Sequence, residues 1–168
     1  MNCQRRFIAL PLLCFALLAG CASDGLEVST TFDPLSSFPA QARYTWDTRA
    51  NKLPPDPRLA ELDLDRIITE AADEAFASHG YRRAAAADSP DYHLSYQLVV
   101  HSWIGADNSR SLGSLSLLLT EAASGRRVWL GFGRAEVQMG LSASERKERM
   151  GRAIAKILEG FPPQQRGG

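Results

Sequence analysis

The stretch "DYHLSYQLVVHSWI", Asp91 to Ile104, decides the fold. Tyr92, Leu94, Tyr96, Leu98, Val100 and Ile104 fall on one face of an extended chain. His93, Ser95, Gln97, Val99, His101 and Trp103 fall on the other. Side chains alternate across a strand, so this pattern predicts one core face and one more polar face.

Reading towards the C-terminus, "GADNSRS" (105–111) is expected to be a loop and Leu112 to Glu121 a strand with Leu115, Leu117 and Leu119 inward. "AASG" (122–125) reads as a turn, and Arg127 to about Met139 as the last strand. "SASER" supplies a capping box from Ser142 and Glu145. The helix that follows is expected to bury Met150, Ala153, Ile154, Ile157 and Leu158, and Pro162-Pro163 ends it. Towards the N-terminus, "AAAADSP" (84–90) is a loop and Tyr81 to Arg83 a brief strand. A first helix runs from after Pro57 to about His79, with Leu64, Ile67, Ile68, Ala71, Ala75 and Phe76 at helical spacing and Gly80 as its terminator. "NKLPPDP" (51–57) is a Pro-rich break. Two short strands come before it, Val28 to Phe32 and "ARYTWDT" (42–48), the second with Tyr44 and Trp46 on one face. Both helices carry one apolar stripe and the long strand one apolar face. The expected fold is therefore α+β: a two-layer sandwich of a largely antiparallel sheet with both helices on one face.

The first 20 residues obey different rules. Arg5 and Arg6 precede an uncharged apolar run, Phe7 to Gly20. That is the pattern of a secretory signal peptide, and it is shorter than the roughly 20 residues of a membrane span. It closes on Leu18, Ala19, Gly20 and Cys21, which resembles the lipobox of bacterial lipoproteins. The resemblance implies cleavage between Gly20 and Cys21. It also implies a diacylglycerol thioether on the Cys21 sulfur and a third fatty chain on the freed amine. Two or three chains hold a protein to a membrane stably, where one does so only marginally. Ala22, rather than an aspartate, follows Cys21. The associated sorting rule then implies the inner leaflet of the outer membrane, with the domain in the periplasm. Cys3 and Cys14 leave with the signal segment, so no disulfide is expected. The whole chain has 19 basic and 19 acidic residues, and loss of Arg5 and Arg6 leaves a net charge of −2. Nothing in that balance points to nucleic acid. The expected organisation is a removed signal peptide (1–20), a lipidated tether (21–27), one periplasmic domain (28–163) and a disordered tail (164–168).

Several short motifs share their order and spacing with a known family. They are Val28 to Asp33, Phe38, "YTW" at Tyr44 to Trp46, "GY" at Gly80-Tyr81, and "PDYHLSY" at Pro90 to Tyr96. "GSLSLLLTEAASGRRVWLG" at Gly113 to Gly131 and "FPP" at Phe161 to Pro163 complete the set. Together with Cys21 they resemble the bacterial lipoprotein family catalogued as domain of unknown function 4136. Tyr92 departs from it, standing where an aliphatic residue is expected. The resemblance implies an envelope lipoprotein with no assigned reaction.

No catalytic constellation stands out. His93 and His101 share a strand face but lie about 26 Å apart at ~3.3 Å per residue, too far for one coordination sphere. His79 sits near a helix end, and no metal site is expected. "GSLSL" lacks the second glycine of a nucleophile elbow, and "GFGRAE" lies in a strand and cannot open a phosphate-binding helix. Gly131 and Gly133 are expected to leave room for aromatic neighbours or to permit a bulge. The best surface candidate is the face without helices. If the "AASG" turn closes a regular hairpin, Leu118 sits opposite Trp129. Val99 then falls opposite Leu118, with Trp103 further along. Val99, Trp103, Leu118 and Trp129 would form an apolar strip for a partner.

The leading expectation is thus a non-enzymatic outer-membrane lipoprotein that binds a protein or envelope component and needs no cofactor beyond the lipid on Cys21. The alternatives are a lipid- or glycolipid-handling protein with a cavity between sheet and helices, and an unrecognised envelope hydrolase.

Overall fold

A computed structural model of the chain describes residues 25–55, 59, 62–104, 109–138 and 140–163. The expected signal segment to Gly20 and the start of the tether, Cys21 to Asp24, lie outside the described residues, as does the tail from 164. The elements are β1 (Glu27–Phe32), β2 (Arg43–Trp46), α1 (Leu64–Ser78), β3 (Arg82–Arg83), β4 (Tyr92–Ile104), β5 (Ser109–Glu121), β6 (Arg127–Glu136) and α2 (Ala143–Ile157). The strands form one sheet in the order β1-β6-β5-β4-β2-β3. β1, β6, β5 and β4 pair antiparallel, while β2 pairs parallel to both β3 and β4. α1 is the crossover between β2 and β3 that a parallel pair requires. The result is the expected α+β sandwich.

The alternation of β4 sets the layers. Tyr92, Leu94, Tyr96 and Leu98 are buried, while Gln97 and His101 are exposed. Leu115, Leu117 and Leu119 of β5 stand in register with Leu98, Tyr96 and Leu94. α1 covers them with Leu64, Ile68, Ala72 and Phe76, and α2 with Ile154 and Ile157, followed by Leu158 at its C-cap. Phe161, just past α2, is the hub of an aromatic cluster. Its ring centroid lies 4.9 Å from Tyr81, 5.0 Å from Phe76, 5.1 Å from Trp129 and 6.0 Å from Phe38.

Three boundaries depart from the sequence reading, each for a local reason. α1 begins at Leu64, not after Pro57, because Asp63 adopts a left-handed conformation (φ 46°) that a helix cannot contain. β5 begins at Ser109, three residues before Leu112, and Ile104 pairs with Ser109, so residues 109–111 of the expected loop belong to the strand. β6 ends at Glu136, short of Met139.

The register of the last hairpin also differs. Thr120 pairs with Arg127, the alignment in which Leu118 would face Trp129. A bulge between Leu119 and Thr120 then places Leu119 opposite Trp129 and Leu118 opposite Leu130. One extra residue in a strand sends every later side chain to the other face. Trp129 therefore lies in the core, 1% exposed, and does not belong to a surface strip. Val99 pairs with Ser114, not with Leu118, because β5 starts at Ser109, earlier than the expected loop allowed.

Candidate functional site

The two layers are filled unevenly along their length. At one end the inward residues are Trp129, Phe76, Tyr81 and Phe161, all buried large rings. At the other end the inward positions of the sheet are small. Leu115 pairs with Gly133, and Gly113 with Ala135. Across from them α2 presents Ala153. Small side chains on both layers leave a cavity of about 280 Å³.

Its walls come from elements already described. Leu98 and Val100 of β4, and Met150 and Ile157 of α2, form two sides. Leu59, Leu62 and Leu64, at and before the start of α1, form a third. Leu26, the residue before β1, also lines the space. Met150 and Ala153 were expected to be core residues, and both are only half-buried because they face this cavity.

The polar groups gather near the α2 N-terminus. Arg146 donates from Nη1 to the Leu141 carbonyl, and Arg149 from Nη2 to the Glu136 carbonyl at 3.1 Å. Both line the cavity together with Glu136, Gln138 and Ser111. The α2 start is fixed by the expected capping box: Ser142 N donates to Glu145 Oε2 at 2.8 Å, and Glu145 N donates to Ser142 Oγ at 3.3 Å. Ser142 Oγ also donates to Glu145 Oε2 at 2.6 Å, and this bond, with that from Ser142 N, holds the Glu145 carboxyl below the usual carboxylate range. The site is an apolar chamber with two guanidinium groups among its lining, suited to a hydrocarbon chain with an anionic end.

The expected surface residues scatter. Leu118 and Val99 lie on the outer face, half-buried, four residues out of the expected register. Trp103 pairs with Arg110 in the backbone, and its side chain lies outside the described residues. Trp129 is in the core. The apolar pair on the outer face is instead Leu118 with Leu130, and Phe132 stands two residues on from Leu130. Among the described residues no group of three or more His, Cys, Asp or Glu is placed to hold a metal ion. No helix among them is long and apolar enough to cross a membrane.

The family model of a domain of unknown function, DUF4136, matches residues 28–163. The chain belongs to the DUF4136 family. No curated protein matches the sequence. Solved structures share the fold at low identity. A DUF4136 family protein from Bacteroides thetaiotaomicron is 15% identical with a TM-score of 0.56, covering 83% of this chain and 97% of its own. A PelC dodecamer from Paraburkholderia phytofirmans is 16% identical with a TM-score of 0.54, covering 83% and 99%. A PDZ domain protein from Parabacteroides distasonis is 12% identical with a TM-score of 0.52, covering 85% of this chain and 36% of its own. The DUF4136 match spans both helices and all but the first residue of the sheet, so every pocket wall except Leu26 lies within the matched residues.

Proposed function

We propose that this DUF4136 protein is a non-enzymatic, lipid-anchored protein of the bacterial envelope that holds a single acyl chain in the α2–sheet cavity. Leu18 to Cys21 supplies the anchor, and Ala22 directs it to the inner leaflet of the outer membrane. The observation that carries the binding role is the cavity itself. Its volume of about 280 Å³ lies just below the range of typical ligand pockets, ≈ 300–1,000 Å³. That size suits one chain better than a whole two-chain lipid. Arg146 and Arg149 would meet a carboxylate or phosphate end.

The test is a fluorescent long-chain fatty acid titrated into the mature chain made without lipid (Cys21→Ala). One saturable site is expected. Ala153→Phe, which fills the chamber, should weaken binding about tenfold or more, equivalent to ~1.4 kcal/mol. Equal affinity in both proteins, or no binding, overturns the reading.

The outer face supports a second reading, a protein partner seated on Leu118, Leu130 and Phe132, whose adjacency the strand pairing fixes. A photoreactive residue at Phe132 should then give a discrete adduct in cells, and one at the exposed Ala155 of α2 should not. No adduct at Phe132 removes this reading.

A further inference from the structure

We infer that the occupant of the cavity is one of the protein's own acyl chains, folded back from Cys21. This rests on the acyl-binding reading above and on the anchor expected at Cys21. The geometry that points to it is the position of Leu26. The side chain of Leu26 lines the chamber, and only Ala22 to Gly25 separate it from Cys21. Five steps of ~3.5 Å keep Cys21 within about 18 Å of the cavity wall. The anchor is therefore tethered at the pocket at high effective concentration, whereas a bilayer lipid has to enter from elsewhere.

Two further observations agree. Gly25 has φ +62°, a left-handed backbone that glycine accepts freely, and a side chain there would meet open space. The chain can thus turn sharply just where the tether joins β1. The chamber is sized for one chain, and an anchor of three chains keeps two in the membrane when one withdraws. Two chains are enough for stable attachment. A chain shared between pocket and bilayer would hold the domain against the membrane, with Arg146 and Arg149 near anionic headgroups.

The experiment uses the lipidated protein carrying Ala153→Cys, reconstituted in vesicles of phosphatidylethanolamine and phosphatidylglycerol. Cys3 and Cys14 are lost with the signal segment and the Cys21 sulfur is blocked by lipid, so the thiol at position 153 is the one free thiol. The mature chain from position 21, made without the signal segment and carrying Cys21→Ala with Ala153→Cys, is added to the same vesicles. Maleimide labelling should be about tenfold slower in the lipidated protein if the chain fills the pocket about nine-tenths of the time. Slow labelling in both proteins means that vesicle lipid fills the chamber; that overturns self-occupancy and leaves the acyl-binding reading standing. Fast labelling in both overturns the two together. A photoreactive residue at Met150 provides the second measurement. Mass spectrometry should find its peptide joined to the lipidated N-terminal peptide of the same chain. An adduct with phospholipid alone would show that the membrane merely covers the mouth, and would overturn the inference.

Discussion

Trp129 occupies the space that a side chain on Gly131 would need. A β-carbon on Gly131 would meet Trp129 Cη2 and Cζ2 and Ile157 Cγ2 at well under van der Waals contact. The glycine lets the indole and α2 close on the sheet together. Gly131→Ala should therefore destabilise the domain by about 1–3 kcal/mol through overpacking. Urea denaturation measures it. A neutral result would mean that α2 can move away from β6 without loss.

A second prediction concerns alkali. The chain has four tyrosines, and the hydroxyls of Tyr44, Tyr81, Tyr92 and Tyr96 are all held above their ordinary range, chiefly by burial. Tyr44 and Tyr96 also donate to carboxylates, to Asp73 at 2.7 Å and Asp65 at 2.6 Å. A group whose folded pKa is raised adds stability below its unfolded value, and loses it as pH rises towards the folded value. Stability should thus be flat up to about pH 10 and fall steeply above it. Phenolate absorbance should rise together with unfolding. Titration of two or more tyrosines near pH 10 in folded protein would contradict this.

Asp73 should matter more than its place on the helix suggests. Oδ1 accepts from Tyr44 Oη at 2.7 Å and from Trp46 Nε1 at 2.9 Å, and Arg83 donates to Oδ2 at 3.2 Å. Asp73→Ala leaves two donors on buried rings without a partner, at a cost of about 1–3 kcal/mol. Glu74→Ala, one residue on and exposed, should stay within about 0.5 kcal/mol of the wild type. Equal effects would refute the role of Asp73.

The α2 cap gives an acid-side prediction. Ser142→Ala should cost about 1 kcal/mol at neutral pH. Hydrogen bonds from Ser142 hold the Glu145 pKa down, so their contribution is present above the unfolded carboxylate pKa. It is lost as pH falls through the lower folded value. The gap between wild type and Ser142→Ala should accordingly narrow in strong acid. A constant gap would mean that Glu145 adds nothing to the cap.

Most of the fold was legible because two periodicities dominate it. The alternation from Tyr92 to Leu98 gave the core face of β4, and the spacing of Leu64, Ile68 and Phe76 gave α1. The capping box at Ser142 and the room left by Gly131 were readable from residue type. What escaped was long-range. The bulge beside Leu119 leaves no mark on "LLLTEAASGRRVW", yet it moves Trp129 from surface to core. The left-handed Asp63 likewise carries no glycine to announce it. The cavity was missed at its walls: Met150 and Ala153 read as core because helical spacing cannot tell a filled space from an empty one. Gly113, Gly133 and Ala135 were the available signal. They are small residues at inward positions on neighbouring strands, and only a correct register brings them side by side.

The most direct test of acyl binding compares the two faces of the sheet. A stearic acid with a spin label near its methyl end is added to the unlipidated, isotope-labelled protein. Side-chain methyl signals of Leu98, Leu115 and Ala153 should broaden first and at substoichiometric label, with the amides of Arg83 and Ser124, at the far end of the sheet, least affected. Broadening centred on the methyl groups of Leu118 and Leu130, or spread evenly over the domain, would contradict the account.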